Sequence, residues 1–252
     1  MVSSLLLVTT LCFQTSGLQT AVNRSNITPD IPQPAVSLTP EMRGDIFMAR
    51  KMYREAAEVY QTGPADSAVL ANKIGIAYHQ MLDMERAKKS YERALKLKPN
   101  YAEAINNLGT IYYAAQSYRR AITQYKKALR ITPDSASILS NLGTGYFARK
   151  NYQLAFTTYQ RALAIDPDVF EHRSTMGILL QERRVEDRAM FHYYLAKTYA
   201  KAGDIEHALI YIRKSLEEGF KEREKFNKDP EFAAVRKNPE FDQILTAEHK
   251  VI

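Results

Sequence analysis

Six positions in this chain recur at an interval of 34 residues. Gly75, Gly109 and Gly143 form one series, and Tyr78, Tyr112 and Tyr146 a second. Four more follow: Ala87, Ala121 and Ala155; Tyr91, Tyr125 and Tyr159; Ala94, Ala128 and Ala162; and Pro99, Pro133 and Pro167. A fixed period of this length marks stacked supersecondary units, each unable to bury its apolar face alone. The stretch from Ala68 to Pro167 is therefore read as three copies of one unit. Apolar residues spaced by three and four within each copy predict helices, and each closing proline predicts a helix end.

Two helices per copy account for the recurring residues. Glycine inside a helix costs about 0.5–1 kcal/mol against alanine, so its return at equivalent sites implies close packing against the small Ala87, Ala121 and Ala155. The recurring tyrosines supply large faces to bury between neighbours. Asp83, Ser117 and Asn151, also 34 apart, are N-cap types before the second helices. Asn100, Asp134 and Asp168 follow the prolines and are expected to cap the next first helices, with Asn100–Glu103 and Asp168–Glu171 at capping-box spacing.

The pattern resembles the tetratricopeptide repeat, a helix-turn-helix unit of this period. Leu108-Gly109, Tyr112, Ala121, Tyr125, Ala128 and Pro133 carry the resemblance, while Ala71, Ile105 and Leu139 stand where the family has an early tryptophan. The resemblance implies an all-α, right-handed superhelical solenoid of stacked helix-turn-helix repeats with a C-terminal capping segment. Residues 68–101, 102–135 and 136–169 are the clearest repeats within a repeat domain of 41–219, and 41–67 and 170–219 are degenerate units.

Outside that core the readings are coarser. Gly44, Phe47, Ala56 and Tyr60 keep the internal offsets of the later copies, but Gly44 and Gly75 lie 31 apart because Gly63-Pro64 cuts the second helix early. The helix near 187–201 fits two registers. Leu195-Ala196, Tyr199, Gly203-Asp204 and Ala208 favour a fresh motif, leaving about 169–183 as an extra packing helix. In 220–252, Asp229-Pro230-Glu231-Phe232 and Asn238-Pro239-Glu240-Phe241 each place an N-cap residue before proline. Short helices tucked in by Phe232, Phe241 and Leu245 would cap the stack, and such endings in similar proteins imply a bacterial source.

At the other end, the apolar run Leu5–Phe13 and the small residues Thr15, Ser16 and Gly17 resemble a secretory signal peptide over 1–17. That reading predicts an exported protein, periplasmic or secreted; without it the chain is cytoplasmic. Residues 18–40, with Pro29, Pro32, Pro34 and Pro40, read as a flexible linker. They include two glycosylation sequons, at Asn23 and Asn26. The single cysteine, Cys12, excludes a disulfide framework.

No enzyme chemistry emerges from the residues. The five histidines, His79, His172, His192, His207 and His249, lack metal-ligand spacing, and neither a phosphate loop nor a nucleophile elbow is found. No cofactor, metal or small-molecule substrate is expected. The resemblance implies binding instead, by first-helix side chains that do not face the neighbouring helix. Carried over, these are Asn72, Lys73, Ile76 and His79; Asn106, Asn107, Thr110 and Tyr113; and Ser140, Asn141, Thr144 and Phe147. Asparagine both donates and accepts, so a ladder containing Asn107 and Asn141 suits the backbone of a protein or extended peptide held in the concave groove.

Charge supports a second reading. The chain carries +7, and between Ala68 and Pro167 fifteen basic residues face six acidic ones. Arg86, Lys88, Lys89, Arg93 and Lys96, with Arg119, Arg120, Lys126, Lys127 and Arg130, crowd the second helices, on the expected convex side. A basic back of this kind suits an anionic surface: lipid, cell-wall polymer or nucleic acid. A third reading is an accessory subunit of a larger secretion or enzyme assembly.

Overall fold

The computed structural model describes residues 38–171 and 185–247. The readings made for 1–17, for most of 18–40, for the greater part of 169–183, and for Cys12, the sequons, His172 and His249 lie outside the described residues. Ten helices form five antiparallel pairs: α1 (Pro40–Ala49) with α2 (Tyr53–Gln61), α3 (Ala68–Gln80) with α4 (Met84–Leu97), α5 (Ala102–Ala114) with α6 (Tyr118–Ile131), α7 (Ala136–Ala148) with α8 (Tyr152–Ile165), and α9 (Val185–Ala202) with α10 (Ile205–Glu217). Each second helix packs on the first helix of the next pair, and α5 also touches α3 and α7. The result is a helical-repeat solenoid, with no strand among the described residues.

One turn joins every pair. Lys51, Leu82, Gln116, Lys150 and Gly203 each stand seven residues after the glycine of their repeat, or after Ala196 in the last, and all adopt φ between 56° and 85°. Around Leu82, the Leu82 N–H donates to the His79 carbonyl and the Asp83 N–H to the Tyr78 carbonyl, both at 2.9 Å. These two bonds satisfy carbonyls that the helix end would otherwise leave unpaired. The residue after the left-handed one then becomes the N-cap of the next helix, so a single dipeptide both stops one helix and starts another.

The caps divide unevenly. Asp83 accepts from the Arg86 N–H at 3.0 Å, whereas Ser117 and Asn151 occupy their N-cap positions without a side-chain cap bond. The expected first-helix caps Asn100 and Asp134 are displaced by one residue. After the proline the chain makes a further turn, with the Tyr101 N–H donating to the Lys98 carbonyl, and the N-caps are Tyr101 and Ser135. The Asn100–Glu103 capping box is therefore absent, and Glu103 accepts from the Tyr101 hydroxyl instead.

Packing follows the recurring residues. Tyr60, Tyr91, Tyr125 and Tyr159 are buried, each with its ring over the glycine sixteen residues earlier. The first pair departs from the rest at α2, which stops at nine residues where α4, α6 and α8 each have fourteen. Beyond α10, the chain folds through α11 (Glu224–Lys228), two 3-10 turns (Pro230–Ala233 and Val235–Lys237) and α12 (Pro239–Thr246). Phe220, Phe226, Phe232 and Phe241 are all buried in one cluster with Tyr193 and Leu216, closing the C-terminal end of the stack.

Candidate partner-binding face

The first helices α3, α5 and α7 bring the candidate polar residues into one row. Asn107 Nδ2 donates to Asn72 Oδ1 at 3.1 Å, and Asn141 Nδ2 donates to Asn106 Oδ1 at 3.1 Å. A longer bond of 3.4 Å from Asn106 Nδ2 to Asn107 Oδ1 links the two. Both rungs join a residue two before the glycine of one repeat to a residue three before the glycine of the preceding repeat. At the first joint the same two positions hold Lys73 and Glu41, and the rung is an ion pair of 2.8 Å.

Lys73 is held further by Asp45, 2.7 Å from its Nζ. Burial alone would lower the ammonium pKa, but the hydrogen bonds to Asp45 and Glu41 outweigh it and leave it raised. Its charge is thus matched within the chain rather than offered to a carboxylate ligand. Asn72, Asn106, Asn107 and Asn141 are all buried, at 5% exposure or less, so their pairing offsets a desolvation cost that unpaired amides would carry in full.

The row ends at Ser140, in register with Asn72 and Asn106. Its hydroxyl is buried with no hydrogen-bond partner among the described residues. Beyond it aromatic packing takes over: Phe147 meets Phe191 at 5.5 Å between centroids, and Tyr152 stacks on Tyr194 at 5.1 Å.

The remaining candidates flank the amides. Thr110 Oγ1 donates to the Asn107 carbonyl, and Thr144 Oγ1 donates to the Ser140 carbonyl while accepting from the Tyr159 hydroxyl. Ile76 is half-buried. His79, Tyr113 and Phe147 share one position and are buried; Tyr113 and Phe147 each pack on the ring five residues later, Tyr118 and Tyr152. His79 lies 3.5 Å from the Tyr91 hydroxyl, and burial lowers its pKa to about 4. The row therefore carries no charge near neutral pH apart from the matched Lys73. Among the described residues no group of three or more His, Cys, Asp or Glu is arranged to hold a metal ion.

The pairing of successive repeats through these side chains is what the sequence reading missed. Its signal was nonetheless present, since the paired asparagines stand 35 residues apart rather than 34.

Comparison with known proteins identifies the repeat. Residues 69–101 and 136–169 match models described as tetratricopeptide repeat, and 109–144 match one described as TPR repeat. No curated protein matches. Similar solved structures include "MamA 41-end from Desulfovibrio magneticus RS-1", at 18% identity, over 73% of this chain and 96% of that one, with a TM-score of 0.48. Another is MamA AMB-1, at 21% identity, over 72% of this chain and 98% of that one, also at 0.48. Repeats of this kind make protein-interaction scaffolds and generally bind proteins or peptides. Three matched models on a stack of helix pairs show that residues 69–101 and 109–169 are tetratricopeptide repeats.

Proposed function

We propose that the chain is a non-catalytic scaffold that binds a protein segment in extended conformation along the face built by α3, α5 and α7. The observation that carries this reading is the row of Asn72, Asn107, Asn106 and Asn141 ending at the Ser140 hydroxyl, which has no partner among the described residues. A buried hydroxyl without a partner costs about 1–3 kcal/mol, which apolar packing would avoid. A peptide group laid along the row satisfies it. The amides exchange an internal bond for one to the partner backbone, so each contributes a net of about 0.5–1.5 kcal/mol. Specificity then falls to the differing neighbours His79, Tyr113 and Phe147.

The partner is a protein segment with little net charge at the contact, because Lys73 is already matched by Glu41 and Asp45. Export of the mature chain from the cytoplasm is part of the same proposal, resting on the apolar run Leu5–Phe13. The test is hydrogen exchange with peptides selected from a random display library. Added peptide should slow exchange in α3, α5 and α7 and leave α4 and α6 unchanged. Slowing confined to α4 and α6 would place the binding face elsewhere.

A further inference from the structure

We infer a second, independent surface: the outer face of α6 and α8, continued by the last turns of α4, docks on an anionic lipid surface. Between Tyr118 and Ile165 the chain has eight basic residues and one acidic residue, Asp134, a balance equal to the +7 of the entire chain. Neither α6 nor α8 contains an acid. On α4 the cations of the first turns are matched, Arg86 by Asp83, Lys88 by Glu92 and Lys89 by Glu85. Among the described residues no acidic side chain pairs with Arg119, Arg120, Lys126, Lys127 or Arg130 of α6. Unmatched cations concentrated on one face attract an anionic partner.

The repeat orders these charges into a line. Arg93, Lys127 and Arg161 occupy the same position in successive second helices, and all three are exposed. Four residues later, on the same helix face, stand Leu97, Ile131 and Ile165, exposed at 41%, 37% and 43%. A row of cations beside a row of exposed aliphatic side chains fits a membrane interface, where the cations meet headgroup phosphates and the aliphatic tips enter the acyl boundary.

Nucleic acid fits less well. Single strands are held by aromatic platforms, but the recurring tyrosines here are half-buried beneath the protein's own cations, with Arg120 5.9 Å from the Tyr112 centroid and Lys126 5.5 Å from that of Tyr146. A duplex would gain nothing from the aliphatic row. No helix among the described residues is long and apolar enough to cross a membrane, so the contact is peripheral.

Vesicle co-sedimentation of the full chain tests the inference. Vesicles of phosphatidylcholine containing about 30 mol % phosphatidylglycerol should bind the chain, and phosphatidylcholine alone should not. Arg93→Glu with Lys127→Glu and Arg161→Glu should cut binding more than about tenfold. Ile131→Ser with Ile165→Ser should weaken it severalfold, with circular dichroism unchanged in both. Equal binding to neutral vesicles, or undiminished binding by the charge-reversed variant, would overturn the inference. So would tight binding of a DNA duplex combined with indifference of vesicle binding to the isoleucine substitutions. None of these residues lies on the first-helix face, so failure here leaves the peptide reading intact.

Discussion

Gly109 lies directly beneath the ring of Tyr125. A methyl group on Gly109 would sit 2.6 Å from Tyr125 Cε1 and 3.2 Å from Gln124 Cβ, well inside van der Waals contact. The last pair shows the complementary arrangement: Ala196 stands at the glycine position, and sixteen residues later Ile212 replaces the tyrosine, both fully buried. Gly109→Ala should therefore destabilise by about 1–3 kcal/mol through overpacking. Adding Tyr125→Ile should cost less than the sum of the two single changes. Urea denaturation of the four proteins measures the coupling.

The turns store strain that is open to relief. Leu82 is 69% exposed at φ 61°, a region that costs an ordinary residue about 1 kcal/mol. The last turn uses Gly203 at φ 85° in the same place. Leu82→Gly should raise stability by about 0.5 kcal/mol, the relief of strain being partly offset by the greater freedom of glycine in the unfolded chain. Thermal melts read the change, and a fall in midpoint would contradict it.

Acid should weaken the fold through His79. Burial holds its folded pKa at about 4, below its ordinary 6.5. Above pH 6.5 the imidazole is neutral in both states and its full stability is present. Between 6.5 and about 4 the unfolded chain takes up a proton that the folded chain refuses, so stability falls by about 1.4 kcal/mol per pH unit. His192, also lowered to about 4 by burial and by Lys214 and Arg188, adds a similar slope. His79→Phe, the residue found at the equivalent position 147, should remove about half of the pH dependence seen in denaturation midpoints.

The amide rungs should behave as joints between repeats. Replacing Asn107 by Ala leaves Asn72 without its 3.1 Å donor and should cost about 1–3 kcal/mol. A double-mutant cycle with Asn72→Ala should return a coupling of about 0.5–1.5 kcal/mol. Additive losses would show that the two amides act independently.

The fold was largely legible because its determinants are local or periodic. A glycine and a tyrosine sixteen residues apart, repeated at a fixed interval, define a helix pair by themselves, and the stop after α9 is written in Gly203-Asp204. The first-helix caps were misplaced by one residue because the chain turns once more after Pro99 and Pro133 before each helix begins, at Pro99 through a backbone bond from the Tyr101 N–H to the Lys98 carbonyl that no side chain announces. The candidate row was legible only as a set of positions. Period and offset say which residues recur, whereas the pairing of Asn107 with Asn72 depends on how two adjacent repeats are set against each other, a long-range property that propensity does not encode.

Ser140 is the most direct probe of this face, since its buried hydroxyl has no hydrogen-bond partner among the described residues. The direct measurement is calorimetric affinity for a library-selected peptide, compared between the wild-type chain, Ser140→Ala, and Asn107→Ala with Asn141→Ala. Ser140→Ala should keep or slightly raise the melting temperature while weakening binding by about 1 kcal/mol. The double variant should lose about 1–3 kcal/mol of affinity together with stability. Wild-type affinity in both would contradict binding along α3, α5 and α7.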